Sequence, residues 1–164
     1  MDTNNLDSAC TSVLFVCLGN ICRSPLAEGV FQNLVAEAGL AEHFDVDSAG
    51  TGAWHVGERP DARAEMVAHQ HGVELESRAR QVTEEDIRDY DYVIAMDREN
   101  LRSLERMANA TGSEVEIRLL RDFDTEGEGD DVPDPYYGGA SGFETVYAMV
   151  HRSCQALLQR LKAT

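Results

Sequence analysis

The sequence predicts an α/β fold: a parallel, twisted sheet covered by helices on both faces. Three observations carry that expectation. Short apolar runs too brief for helices recur along the chain, as at Val13–Val16 and Tyr92–Met96. Segments of helical period follow them in alternation, which is how parallel strands are connected. Glycines and cap residues punctuate the joins.

The elements follow in order. Residues 1–11 read as a frayed N-terminal tail and residues 12–164 as a single domain. Val13, Leu14, Phe15 and Val16 form a continuous apolar run, the pattern of a strand buried on both faces. Leu26, Val30, Phe31, Leu34 and Val35 then recur at helical spacing, with Ser24 as the expected cap, Pro25 in the first turn and Gly39 as the stop. Residues 44–49 alternate as a second strand, broken by Gly50 and Gly52. A helix is expected over residues 61–71, and a short one after the cap Thr83. Tyr92–Met96 is the third strand, followed by a helix with Leu101, Leu104 and Met107 inward, and Val115–Leu120 is the fourth. Residues 122–139 form an acidic loop, and a closing helix runs from Phe143 to Leu161.

Bulk properties narrow the class. At 164 residues the chain can bury a core without disulfides or metal. Its polar, acidic start is no secretory signal, and no apolar run approaches the roughly 20 residues of a membrane span. Cys10, Cys17, Cys22 and Cys154 lack paired spacing, so they read as thiols in a reducing, cytoplasmic setting and no metal site is expected. A net charge of −16 disfavours nucleic acid as a partner. Lys162 is the one lysine. So acidic and lysine-poor a surface fits either a high-salt cytoplasm, where screening shortens self-repulsion, or simply an acidic protein of an ordinary one.

The chemistry is concentrated between the first strand and first helix. Cys17 is followed by five residues and then Arg23 and Ser24. A loop this short, entering a helix amino terminus, can turn several backbone N–H groups onto one tetrahedral oxyanion. Gly19 permits a left-handed turn and Asn20 tolerates one. Arg23 adds a planar fork for two phosphate oxygens. The same field favours Cys17 as a thiolate nucleophile, with Ser24 able to donate to the sulfur. The Walker pattern is absent.

Asp134, stiffened by Pro133 and Pro135, is the candidate general acid. Asp122, Asp124, Glu126, Glu128, Asp130 and Asp131 lie upstream; if near in space, they would help keep Asp134 protonated. Tyr136 and Tyr137 could wall a cleft. A calcium loop starting at Asp122 fails on register, because Pro133 falls at the bidentate position.

The run VLFVCLGNICRSPLAE from Val13 to Glu28, with DPYYG from Asp134 to Gly138, resembles the low-molecular-weight protein tyrosine phosphatases. Further similarity runs through Asp47–Thr51, Ala79–Thr83, Met96–Asp97 and Phe143–Tyr147, in family order. The resemblance implies a flavodoxin-like sheet of phosphotyrosine phosphatase I type with four parallel strands. It also implies hydrolysis of phosphotyrosine in a protein substrate through a phosphocysteine, with no cofactor. Cys17, Arg23 and Asp134 match its nucleophile, phosphate ligand and acid. The resemblance also implies that the N–H groups turned onto the oxyanion are those of Leu18, Gly19, Asn20, Ile21, Cys22 and Arg23. Asn20 matches the residue that shapes the loop by bonding the serine at Ser48, Ser24 the thiolate's support, and Asp97 the acidic residue that orients the arginine. Ile21, Trp54, Tyr136 and Tyr137 match groove positions. Cys22 matches a cysteine that in some members traps the oxidised nucleophile. Ser77 departs from the pattern, standing where several eukaryotic members carry a supporting histidine. His55 reads as a groove or surface residue, and His69 and His71 fall on different helix faces, so neither reads as a ligand.

Three rivals share parts of this pattern. Protein arginine phosphatases carry threonine where this chain has Ile21, whose aliphatic side chain suits an aryl group. Arsenate reductases relay electrons through further cysteines, which this chain lacks between Cys22 and Cys154. A non-catalytic phosphate-binding module would not need Asp134.

Overall fold

The structure is a computed structural model that describes residues 10–127, 129–136 and 140–162. Residues 1–9, Glu128 and the expected groove residue Tyr137 lie outside the described residues.

Strands β1 (Thr11–Cys17), β2 (Phe44–Gly50), β3 (Tyr92–Ala95) and β4 (Glu116–Leu119) form one parallel sheet in the order β2-β1-β3-β4. The helices are α1 (Arg23–Glu37), α2 (Ala62–Gln70), α3 (Glu84–Asp89), α4 (Arg98–Thr111) and α5 (Ala140–Lys162). Most boundaries fall within a residue of the sequence expectation, and two ends move further. Thr11 belongs to β1, paired with Phe44, and not to the tail. The closing helix starts at Ala140, before its first apolar core residue Phe143.

The sheet's alternation sorts two cores. Val13, Phe15 and Ile94 face α1, α2 and α5, packing with Leu26, Phe31, Val67 and Leu157. Leu14, Val16, Val93 and Ala95 face α3 and α4, packing with Ile87 and Leu104. Every residue from Val13 to Val16 is fully buried, as a two-sided central strand requires. At about 1.5–3 kcal/mol for each large apolar side chain, the two cores clamp β1 from both faces. The same strand delivers Cys17 at its carboxyl end.

Asp61, Thr83 and Asp97 cap α2, α3 and α4 through their side chains. Ser24, expected to cap α1, does not. The cap position is Cys22, whose side chain makes no cap hydrogen bond to the first N–H groups of α1. That end of the helix is therefore left to bind an anion. It lies where the strand order turns back between β1 and β3, the crevice in which sheets of this type hold ligands.

Candidate active site

A cleft of about 320 Å³ opens at this crevice, floored by Cys17 and Arg23 and walled by Trp54, His55, Asp134 and Tyr136. Leu18, Gly19, Ile21 and Cys22 complete its lining. Cys17 is 3% exposed. Its Sγ accepts the Asn20 backbone N–H at 3.2 Å and lies 3.0 Å from Ser24 Oγ. Ser24 Oγ in turn accepts from Asn20 Nδ2 at 2.8 Å. Its own proton is then left for the sulfur at 3.0 Å or for the Ala49 carbonyl at 3.5 Å. The shorter contact is the sulfur, and a thiolate there would be the better acceptor.

The loop holds its shape through Asn20, not Gly19. Asn20 carries the left-handed turn, at φ 59°. Its side chain points away from the cleft and is saturated. Nδ2 donates to Ser24 Oγ and to Ser48 Oγ at 3.0 Å, and Oδ1 accepts from the Arg80 N–H at 2.9 Å. An αL residue costs little when its side chain is fixed in this way. Gly19 answers to close approach instead: a Cβ there would sit 3.1 Å from His55 Cδ2. Gly50 does the same from β2, where a Cβ would meet the Leu18 carbonyl at 2.7 Å.

Arg23 is buried, and both its hydrogen bonds run through Nη1, to Asp97 Oδ2 at 2.8 Å and to the Val132 carbonyl at 2.9 Å. Nη2 stands 3.8 Å from Asp134 Oδ2. Burial works against the charge, but Cys17, then Asp97 and Asp134, outweigh it and push the Arg23 pKa up. Asp97 thus orients the fork while capping α4 with its other oxygen. Asp134 is about half exposed on the cleft wall, with Oδ1 accepting the Tyr136 N–H at 3.0 Å. Its loop is pinned to the end of β3 by the Val132 N–H bond to the Met96 carbonyl, 2.8 Å.

Several of the acidic residues upstream of Asp134 have partners of their own. Asp124 is buried between Arg121 and Arg152, Asp131 accepts the Arg98 N–H, and Asp122 accepts the Leu119 N–H. Asp134 Oδ2 itself lies 3.8 Å from the Arg23 guanidinium. Cys22 is a buried free thiol, its pKa pushed well up by burial and then by Asp61 and Cys17. Trp54 is 73% exposed at the rim. His69 pairs with Glu74, and His71 stacks on Tyr147, both away from the cleft.

Sequence reasoning missed two parts of the site. Glu28, inside the first motif, accepts from Ser48 Oγ at 2.5 Å and so backs Asn20. Burial pushes its carboxyl up to about 7. Arg80 supplies the N–H that completes Asn20, and its guanidinium pairs with Asp47 and Asp86. Neither contact has a local sequence signature. The Asp61-Ala62-Arg63 spacing, however, advertises a capped helix start with a ready ion pair.

Residues 12–164 match the family model for low molecular weight phosphotyrosine protein phosphatase. The chain is similar to the Homo sapiens protein of that name, 44% identical over 155 residues, which span 94% of this chain and 98% of the human one. Among solved structures it is similar to YfkJ from Bacillus subtilis, with TM-score 0.87 and 42% identity, covering 94% of this chain and 96% of that one. It is also similar to a Drosophila arginine phosphatase, with TM-score 0.86 and 39% identity, covering 92% of this chain and 97% of that one.

Proposed function

The chain belongs to the low molecular weight phosphotyrosine protein phosphatase family, hydrolases acting on phosphotyrosine, and we propose that Cys17, Arg23 and Asp134 carry that reaction here. The phosphate dianion sits on the N–H groups of residues 18–23 and on the free edge of the Arg23 fork. The Cys17 thiolate attacks phosphorus. The S–P bond forms, the P–O bond to the aryl group breaks, and Asp134 gives its proton to the departing phenolate. Water then attacks the phosphocysteine, with Asp134 taking its proton and the sulfur leaving as thiolate beside the Ser24 hydroxyl. Asp134 gives its proton in the first step and regains one from water in the second, and neither step calls for a cofactor.

The observation that carries this reading is the position of the Cys17 sulfur. It lies at the floor of a cleft, bonded by Asn20 N–H and Ser24 Oγ, with Arg23 and Asp134 on the same walls. The substrate is a phosphoprotein. Trp54 and Tyr136 at the mouth suit the aromatic ring of a phosphotyrosine segment. Ile21, 8% exposed in the lining, offers that ring an apolar contact and favours it over phosphoarginine. Cys154, fully buried in the core, is not placed to relay electrons from the cleft, which disfavours arsenate reduction. A cytoplasmic setting is supported by the free thiols, and no helix is long and apolar enough to cross a membrane among the described residues. The match over residues 12–164 supports a single phosphatase domain.

The test is release of phosphate from phosphotyrosine and phosphoarginine peptides, each with chelator present. Wild type should turn over the first faster, and Cys17→Ser neither. A faster phosphoarginine reaction would reassign the substrate.

A further inference from the structure

Two loops far apart in sequence must meet over the substrate: the Cys17 loop below and the Asp134 loop above. Arg23 touches both, but in the proposed reaction its fork is committed to phosphate. A second cation outside the cleft lining also ties them together. Asp61 donates its backbone N–H to the carbonyl of Ile21 in the Cys17 loop, at 2.8 Å. Its carboxylate receives Arg63 bidentately, with Oδ1 to Nε and Oδ2 to Nη2 both 3.0 Å. Arg63 Nη2 also donates to the Tyr136 carbonyl at 2.9 Å, and the Tyr136 N–H holds Asp134 Oδ1. The guanidinium face lies 4.7 Å from the Phe143 ring and 5.6 Å from the Tyr136 ring. The Arg63 hydrogen bond pulls Asp61 below the usual carboxylate range, so the pair stays charged wherever the enzyme works.

We propose that Arg63, seated on Asp61, is a positioning residue that fixes the general acid over the nucleophile loop. The inference rests on the acid role of Asp134 given above. A planar fork meets the requirement because it can pair with a carboxylate, donate to a carbonyl and stack on rings at once. Lysine can do only part of this. The proton transfer to the leaving group is the step that depends on such placement, since a displacement of about 1 Å is enough to cost on the order of 10²-fold.

The experiment measures kcat/KM on two aryl phosphates, one with a poor leaving group (phenyl phosphate) and one with a good one (2,4-dinitrophenyl phosphate). The variants are Arg63→Met, Arg63→Lys, Asp134→Asn and the Arg63→Met/Asp134→Asn double. Arg63→Met should lose about 10-fold on phenyl phosphate and less than about 2-fold on the dinitrophenyl ester, with Arg63→Lys between it and wild type. In the Asp134→Asn background the Arg63 substitution should cost less than about 2-fold on either ester, because no acid remains to misplace. Equal loss on both esters, no loss on either, or full additivity with Asp134→Asn overturns the proposal. If Asp134→Asn itself fails to discriminate between the esters, the acid assignment fails, and that outcome is separate from additivity. Should Arg63→Met not fold, Arg63→Lys carries the same comparison.

Discussion

Two arginine–aspartate clusters among the described residues differ in how completely their bonds are spent. Under the acidic segment, Asp124 receives four donors: Arg152 through Nε and Nη2, Arg121 through Nε, and the Glu126 N–H. Gly127 lies so close that a Cβ there would strike the Arg121 guanidinium. Both oxygens of Asp124 are filled, with two donors on each. Beside the phosphate loop, Arg23 makes its hydrogen bonds to Asp97 and the Val132 carbonyl through Nη1, while Nη2 stands 3.8 Å from Asp134 on the cleft wall. The first cluster ties down a segment that would otherwise repel itself. The second is held in place while keeping donors in reserve, which is what a transition-state binding site requires.

That contrast can be broken by substitution. Arg23→Lys should lower kcat/KM by about 10²–10³-fold, the order found for loss of one preorganised donor, while stability moves by less than about 1 kcal/mol. Steady-state kinetics alongside denaturant unfolding checks both halves. Asp124→Ala should do the reverse. Removing one partner from a buried charge cluster costs about 3–5 kcal/mol of unfolding free energy, and the folded fraction should retain wild-type kcat. Its pairing with Arg152 holds the Asp124 carboxyl down at about 2. The stability it contributes is therefore present above the unfolded value of about 3.9 and fades as pH falls toward about 2. Asp124→Asn should flatten the acid limb of the unfolding profile.

A half-buried carboxylate, Glu28, sharpens the comparison with a shift of the opposite sign. Glu28 is raised to about 7 by burial; the neighbouring Asp47 adds to the shift, while the Ser48 hydrogen bond, Arg80 and the Gln32 side chain oppose it. A raised carboxyl binds a proton more tightly in the folded state. Its contribution is whole below the unfolded value of about 4.3 and is lost as pH rises through about 7. Glu28→Gln should remove that slope from the stability profile between those limits. An unchanged slope would place the titration elsewhere.

The parts of this site that sequence made legible are those whose geometry is local. Five residues between Cys17 and Arg23, with a strand before and a helix after, leave the chain little choice but to form a cup. Asp134 was visible because prolines on both sides restrict it. Long-range contacts hid the rest. Whether Gly19 or Asn20 takes the left-handed turn depends on Ser48 and Arg80, which bond the Asn20 side chain from elsewhere in the chain. Ser24 satisfies every local rule for a helix cap, yet the thiol of Cys17 claims its hydroxyl. The acids upstream of Asp134 looked like its neighbours by spacing. Asp124 pairs with Arg152, from the closing helix, a contact that no local spacing announces.

The central claim is that the Cys17 sulfur carries the phosphoryl group between the two steps. Rapid acid quench during turnover of an aryl phosphate, followed by peptide mass spectrometry, reads this directly. The account predicts one added phosphoryl group on the peptide bearing Cys17, and none with Cys17→Ser. Undiminished turnover by Cys17→Ser, or a phosphoryl group trapped on another residue, would contradict it.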